Sequence, residues 1–325
     1  MKETVLAGLK VHFGRYVSGG QLSNQLQVSR TAVWKHIGGL REDGYEIESS
    51  PRLGYRLVSV PDLLLPLEIW DGLRTKILGK QIHYRRTMDS TNRLARELAA
   101  AGAAEGTVIL SEEQLAGRGR LGRSWVSPAG GIWLSLILRP QLAPHKAQLI
   151  TLLAAVAAVE ATQKTTGLVP GIKWPNDLLL GGRKLAGILT EVSAEMERVN
   201  YLVLGIGLNA NLSAEHFQGE LADSATSLLL ELGQSVCRVR WVQNFLTLFE
   251  QAYLATEEQG FASVLACWRR YSVTLGQDVI VSLGSRSVHG TALDIDEQGA
   301  LLVKTVSGLE TFLSGEVSLK DSREG

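Results

Sequence analysis

Pro61 and Pro66 bracket a short segment through which no helix can run, and the hydrophobic pattern changes character on either side of it. A chain of 325 residues is also too long for one compact domain by ordinary size scaling. The break therefore reads as a linker, with a first domain over residues 1–62 and a second from residue 67.

Before the break the pattern is helix, helix, turn, helix, hairpin. Gln21–Leu26 is a short amphipathic stretch, Val28 and Ser29 make the turn, and Arg30–Glu42 resumes helical spacing with Ala32 or Val33, Ile37 and Leu40 inward. Ser29 has the chemistry of an N-cap. Gly44 stops the helix, and Tyr45–Glu48 and Tyr55–Val58 alternate on either side of a turn from Ser49 to Gly54. This is a winged helix-turn-helix. Lys+Arg and Asp+Glu are both 33, so the whole chain announces no polyanionic partner. The bias is local: no acidic residue lies between Thr4 and Arg41, whereas Lys10, Arg15, Arg30, Lys35 and Arg41 are basic. Arg30, Thr31, Trp34 and Lys35 form the outward face of the second helix of the motif, suited to a major groove, and Arg52 on the wing suits phosphate or minor groove. A small helical packing or dimerisation module is the blander reading, and the acid-free basic run argues against it.

Beyond the linker, residues 67–271 alternate strand-like runs (Thr107–Leu110, Ile132–Leu138, Ile188–Val192, Tyr201–Ile206) with helical ones (Thr91–Ala101, Ala147–Lys164, Trp241–Glu257). That pattern predicts a mixed-sheet α/β domain with helices on one face. Residues 273–325 show short strands separated by glycines, the pattern of a small SH3-like β-barrel. The fold class is thus α+β multidomain. The most apolar run, Leu149–Val159, is too short to span a bilayer and reads as a buried alanine-rich helix. The start lacks a signal peptide, and Cys237 and Cys267 suggest neither a disulfide framework nor a zinc site. A cytoplasmic location with no membrane partner is the expectation.

Two islands carry the chemistry. In Gly117-Arg118-Gly119-Arg120-Leu121-Gly122-Arg123, followed by Trp125, glycines let the backbone close tightly and guanidinium forks fit phosphate oxygens. Lys173-Trp174-Pro175-Asn176-Asp177, followed by Arg183-Lys184-Leu185-Ala186-Gly187, adds a lysine pair and a carboxylate, able to steady charge at phosphorus and to hold a metal. The glycine spacing Gly117, Gly119, Gly122 matches a dinucleotide fingerprint, but Ser127-Pro128 and Gly130-Gly131 follow where a helix is required. No P-loop occurs, the histidines form no metal pair, and no hydrolase triad stands out. Asp89-Ser90-Thr91-Asn92 opens a helix, for which an N-cap is a sufficient explanation from the residues alone.

These motifs, together with Gly205-Ile-Gly-Leu-Asn-Ala-Asn211 and in this order, resemble those of biotin protein ligases. With the N-terminal segment, the resemblance covers nearly the whole chain and points to the bifunctional group that joins biotin ligase to biotin-operon repressor. It implies a class II synthetase-like catalytic domain that uses biotin, ATP and Mg²⁺ to form biotinyl-5′-AMP. It implies transfer of biotin to a lysine of a biotin carboxyl carrier domain, operator DNA as second partner, and a homodimer when adenylate-bound. By the same resemblance Ser90, Thr91, Asn92 and Gln114 bind the ureido end of biotin. Arg118, Gly119 and Arg120 form a mobile ligand loop beside Trp125, with Lys173 and Asn209 also at the ligand. Lys184 is the main catalytic side chain, with Arg118, Arg120 and Asp177 beside it; Asp177 is open between a Mg²⁺ ligand and a guide for the acceptor lysine. Leu121 departs from relatives that carry a basic residue there, and Lys320 stands where some have arginine. A lipoate-type ligase and a purely ligand-sensing transcription factor are the rival readings.

Overall fold

The computed structural model describes residues 1–195 and 198–319 and divides into two compact units, one of Met1–Leu63 and one that begins at Leu64. In the first, helices α1 (Lys2–Val11), α2 (Gly19–Leu26) and α3 (Arg30–Glu42) precede a hairpin of β1 (Glu46–Ser50) and β2 (Gly54–Ser59). The helices bury Val5, Leu6 and Leu9, then Leu22, then Val33, Ile37 and Leu40; of the two inward candidates at the start of α3, Val33 is the buried one. Ser18 and Ser29 cap α2 and α3, their hydroxyls accepting from Gln21 N–H at 3.0 Å and Ala32 N–H at 3.1 Å. Gly54 is required by close approach: Val17 and Tyr55 exchange backbone hydrogen bonds, and a Cβ at Gly54 would stand 2.1 Å from Val17 O. Arg30, Thr31, Trp34 and Lys35 remain exposed on α3, as does Arg52 in the hairpin turn.

The segment between the two prolines is only partly linker. Leu64 and Leu65 are buried, and Pro66 opens helix α4 (Pro66–Gly72) from its first turn, where a missing N–H costs nothing.

The second unit is built on a seven-stranded sheet of β3 (Ile82–Met88), β4 (Val108–Gln114), β5 (Ile132–Leu138), β6 (Gly171–Lys173), β7 (Asp177–Leu180), β8 (Arg183–Glu195) and β9 (Arg198–Leu208). The strand order is β3-β4-β5-β9-β8-β7-β6; β3 and β4 are parallel, joined through α5 (Thr91–Ala100), and the other pairs are antiparallel. Helices cover both faces, which corrects the expectation of one. Every residue of β5 is buried, so each face needs a partner. Leu134, Leu136 and Leu138 join the main core with α6 (Ala147–Thr166) and α9 (Arg238–Gln259), while Ile137 joins Ile109, Val203, Met88 and the Ala95/Ala99 side of α5. The short α7 (Leu221–Ser224) and α8 (Leu228–Leu232) follow the sheet, and α10 (Ala262–Tyr271) follows α9.

Helix α6 is buried almost all round, from Ala147 to Thr162, as its continuous apolar run demands. Helices α9 and α10 pack on it, and α10 is followed by a five-stranded antiparallel sheet of β10 (Asp278–Leu283), β11 (Arg286–Ile295), β12 (Leu301–Thr305), β13 (Gly308–Phe312) and β14 (Glu316–Leu319), in the order β13-β12-β11-β10-β14. The small sheet is locked on at Gly299, where a Cβ would stand 2.7 Å from Leu152 Cδ1 and whose carbonyl accepts from Trp174 Nε1 at 3.1 Å. Among the described residues no helix is long and apolar enough to cross a membrane.

Candidate active site

A cavity of about 250 Å³ opens on the α5 side of the large sheet. Its floor is made by omission. Gly187 pairs with Gly207, Gly207 with Trp133, and Gly205 with both Leu189 and Ser135. A Cβ on Gly207 would stand 2.6 Å from Trp125 Nε1, one on Gly187 3.0 Å from the Trp125 ring, and one on Gly205 2.1 Å from Asn92 Oδ1. The strand glycines thus leave room for the two side chains that wall the site.

One end is neutral and polar. The Ser90 hydroxyl caps α5, accepting from Arg93 N–H at 3.4 Å, so cap and cavity wall coincide. Thr91 N–H donates to Gln114 Oε1 at 2.8 Å, Gln114 Nε2 donates to Ser127 Oγ at 2.9 Å, and Ser135 Oγ donates to Asn92 Oδ1 at 2.6 Å. Ser90, Thr91 and Asn92 are all buried.

The other end is cationic. The Gly/Arg loop folds back on itself through Gln114 N–H to Ser127 O, Trp125 N–H to Gly117 O and Gly119 N–H to Arg123 O; a Cβ on Gly117 would stand 2.4 Å from Trp125 O. The next regular element after the loop is strand β5 rather than a helix, which disposes of the dinucleotide fingerprint. Arg120 at the loop tip donates to Asn176 Oδ1 at 3.0 Å and to Gly315 O at 3.2 Å, and Arg123 pairs with Glu316 at 2.6 Å. Burial pushes the Arg120 guanidinium below its ordinary pKa, while the charges of Asp177 and Glu316 oppose the shift. Lys173 is lowered for the same first reason, opposed by Asp177 and assisted by repulsion from Lys184. Lys184 Nζ lies 2.8 Å from Asp177 Oδ1. That ammonium is the partner of the buried Asp177 oxygen. Trp125 Nε1 is buried with no hydrogen-bond partner, a polar atom that an arriving ligand can satisfy.

Of the residues singled out by sequence, Ser90, Thr91, Asn92, Gln114, Arg118, Gly119, Arg120, Trp125, Lys173, Asp177 and Lys184 line this one cavity. Asn209 is not among the lining residues and stands beside them. Its Nδ2 donates to Thr226 O at 3.0 Å and, at 3.5 Å, to Lys184 O, so it ties down the strand that carries Lys184. Lys320 lies outside the described residues. Leu121 is exposed and sits at φ 55, a left-handed conformation that costs a non-glycine residue about 1 kcal/mol. The residues that sequence reasoning missed are Asn176, Glu316 and the strand glycines. Alternation of glycine with isoleucine in Gly205-Ile206-Gly207 is a signal of close backbone approach; nothing local marks Glu316.

Comparison with known proteins shows the family. Residues 84–209 match the Biotin/lipoate A/B protein ligase family, 274–320 the Biotin protein ligase C terminal domain, and 3–56 an HTH domain. The bifunctional ligase/repressor BirA of Bacillus spizizenii is 42% identical over 94% of this chain and 94% of its own, and that of Escherichia coli 30% identical over 96% and 95%. A biotin protein ligase from Aquifex aeolicus in complex with biotin and ATP superposes with a TM-score of 0.65 at 28% identity, covering 74% of this chain and 99% of that one. On a match of that extent, the chain belongs to the family of bifunctional biotin ligase/repressors.

Proposed function

We propose that the chain is an ATP-dependent biotin protein ligase that forms biotinyl-5′-AMP and transfers biotin to a lysine of a biotin carboxyl carrier domain, and that its N-terminal unit makes it a biotin-responsive repressor of biotin synthesis genes. The ligase reading is carried by one observation: a single cavity joins the neutral end at Ser90, Thr91, Asn92 and Gln114 to the cationic end at Arg118, Arg120, Lys173 and Lys184. Biotin needs the first for its uncharged ureido ring, and ATP needs the second. Lipoate's dithiolane has no N–H or C=O to meet Asn92 and Gln114, which disfavours the lipoate alternative. The lysines and arginines gathered at one end speak against a sensor without chemistry.

In the first step a carboxylate oxygen of biotin attacks the α-phosphorus, and the bond to the bridging oxygen of pyrophosphate breaks. Charge grows on the non-bridging oxygens, and Lys184, aimed by Asp177 and the Trp125 ring, is the donor placed to meet it. Arg118 and Arg120 hold the phosphate side, and the folded loop shields the mixed anhydride from water. In the second step the acceptor amine attacks the acyl carbon and AMP leaves with the bonding pair.

Asp177 and Glu316, the carboxylates lining the cavity, are the residues that would hold Mg²⁺, each now paired with a cation, Lys184 and Arg123. With no cluster of His, Cys, Asp or Glu to cage a metal among the described residues, the ion would need oxygens of ATP as further ligands, and it would supply neutralisation of phosphate charge.

On the N-terminal unit, exposed Arg30, Thr31, Trp34 and Lys35 form the face for operator DNA, with Arg52 on the wing. A palindromic operator calls for a homodimer, which adenylate binding would favour by linkage. Mass spectrometry of a carrier domain incubated with the chain, biotin and ATP tests the ligase half: one biotinyl-lysine is expected, and lipoate in its place is not. Gel-shift titrations test the other half. DNA affinity is expected to rise with biotin and ATP and to vanish when residues 1–63 are removed, while ligation persists.

A further inference from the structure

Two side-chain amides, Asn92 and Gln114, stand at the neutral end of the cavity, and the groups behind them fix which way each faces. An asparagine amide offers two N–H donors from its nitrogen and two acceptor lone pairs on its oxygen. Asn92 Nδ2 donates to Glu191 Oε2 at 2.8 Å and, at 3.4 Å, to the Leu189 carbonyl. Glu191 is paired with Arg96 at 3.0 Å; as a carboxylate it accepts and cannot donate. The Asn92 nitrogen must therefore face Glu191, and its oxygen faces the other way. There, Ser135 Oγ donates to Oδ1 at 2.6 Å, which uses one lone pair. The second is left for the cavity that Asn92 lines.

Gln114 is set in the opposite sense. Its Oε1 accepts the Thr91 N–H at 2.8 Å, and its Nε2 donates one N–H to Ser127 Oγ at 2.9 Å, leaving the other. The two amides together offer one acceptor and one donor, the complement of a urea edge with its N–H beside its C=O.

We propose that Glu191, which does not line the cavity, is a positioning residue for ligand selection: by accepting from Asn92 Nδ2 it turns Asn92 Oδ1 toward the cavity, where that oxygen accepts a ureido N–H of biotin. The proposal rests on the cavity being the biotin site. Amide rotation by half a turn changes almost nothing in shape, so packing alone does not fix this polarity. A flipped Asn92 would set N–H against N–H, and Arg96 contributes by keeping the Glu191 carboxylate in place.

The test is a polarity swap. Glu191→Gln keeps the shape but supplies a donor that suits a flipped Asn92. Calorimetric Kd and steady-state KM for biotin should each rise about tenfold, the value of one ligand hydrogen bond, while KM for ATP and kcat at saturating biotin stay within about twofold. Asn92→Asp sets two carboxylates against each other and should weaken biotin at least as much. In the variant that combines Glu191→Gln with Asn92→Asp, the new amide donates to the new carboxylate, an acceptor again faces the cavity, and biotin affinity should return to within about threefold of wild type. Rescue of this kind is not expected of residues that matter only for folding. Unchanged biotin affinity in Glu191→Gln, or additive losses in the double variant, overturns the proposal. A wild-type chain that binds no biotin would instead defeat the ligase reading itself.

Discussion

Lys184 Nζ stands 5.1 Å from the centre of the Trp125 ring and 2.8 Å from Asp177 Oδ1. An ammonium held between an aromatic face and a carboxylate is aimed before substrate arrives, which lowers the reorganisation needed when charge develops. Lys184→Ala should suppress adenylate formation by about 10²–10³, the usual loss for one transition-state donor, with a much smaller effect on biotin Kd. Single-turnover adenylation measured beside calorimetric biotin binding separates the two, and an undiminished adenylation rate removes Lys184 from the chemistry.

Arg120 bridges the loop tip to Asn176 and to the Gly315 carbonyl of the small sheet. Arg120→Gly loses both anchors, so the loop should release adenylate faster than it slows its formation. Freed biotinyl-AMP should label lysines of a bystander such as serum albumin, read by streptavidin blot; labelling confined to the carrier domain would contradict the latch.

The space left by Gly207 is filled by Trp125. In Gly207→Ala the new methyl would stand 2.6 Å from Trp125 Nε1, and the indole must swing into the cavity it borders. Biotin Kd should rise at least about tenfold, while Tm moves by no more than a few degrees, roughly 1 kcal/mol. A comparable loss of Tm and no change in Kd would show that the glycine serves the sheet alone.

Burial holds the Lys173 ammonium below the ordinary lysine range. A lysine with a depressed pKa is charged below that value and becomes neutral as pH rises through it, so kcat/KM for ATP should fall on the alkaline side earlier than a free lysine, near 10.4, would dictate. Lys173→Arg keeps its charge and should move that limb to higher pH. A limb that stays where it was belongs to another group.

Much of this was legible in the chain. The spacing of Val33, Ile37 and Leu40 placed α3, and the unbroken apolar run in α6 announced a helix buried on all sides. The loop and the Lys173–Asp177 segment were legible as ligand chemistry because glycine and arginine at that density have few structural uses. What stayed hidden depends on long-range pairing. That α5 covers the second face follows from Ile109, Ile137 and Val203 pointing away from α6, and a fully apolar strand such as β5 shows no alternation from which to read faces. The bonds from Asn209 Nδ2 to the Thr226 and Lys184 backbone carbonyls join segments far apart in sequence and could not be read from the motif. Glu316 reaches Arg123 from far along the chain, a pairing that only the closed fold reveals.

The central claim is that this cavity makes an adenylate from biotin. Exchange of labelled pyrophosphate into ATP by the purified chain, with no carrier domain present, measures that step alone. The account predicts exchange that requires biotin, is not supported by lipoate, and is lost by about 10²–10³ in Lys184→Ala. Exchange that is absent with biotin, or equal with lipoate, would contradict it.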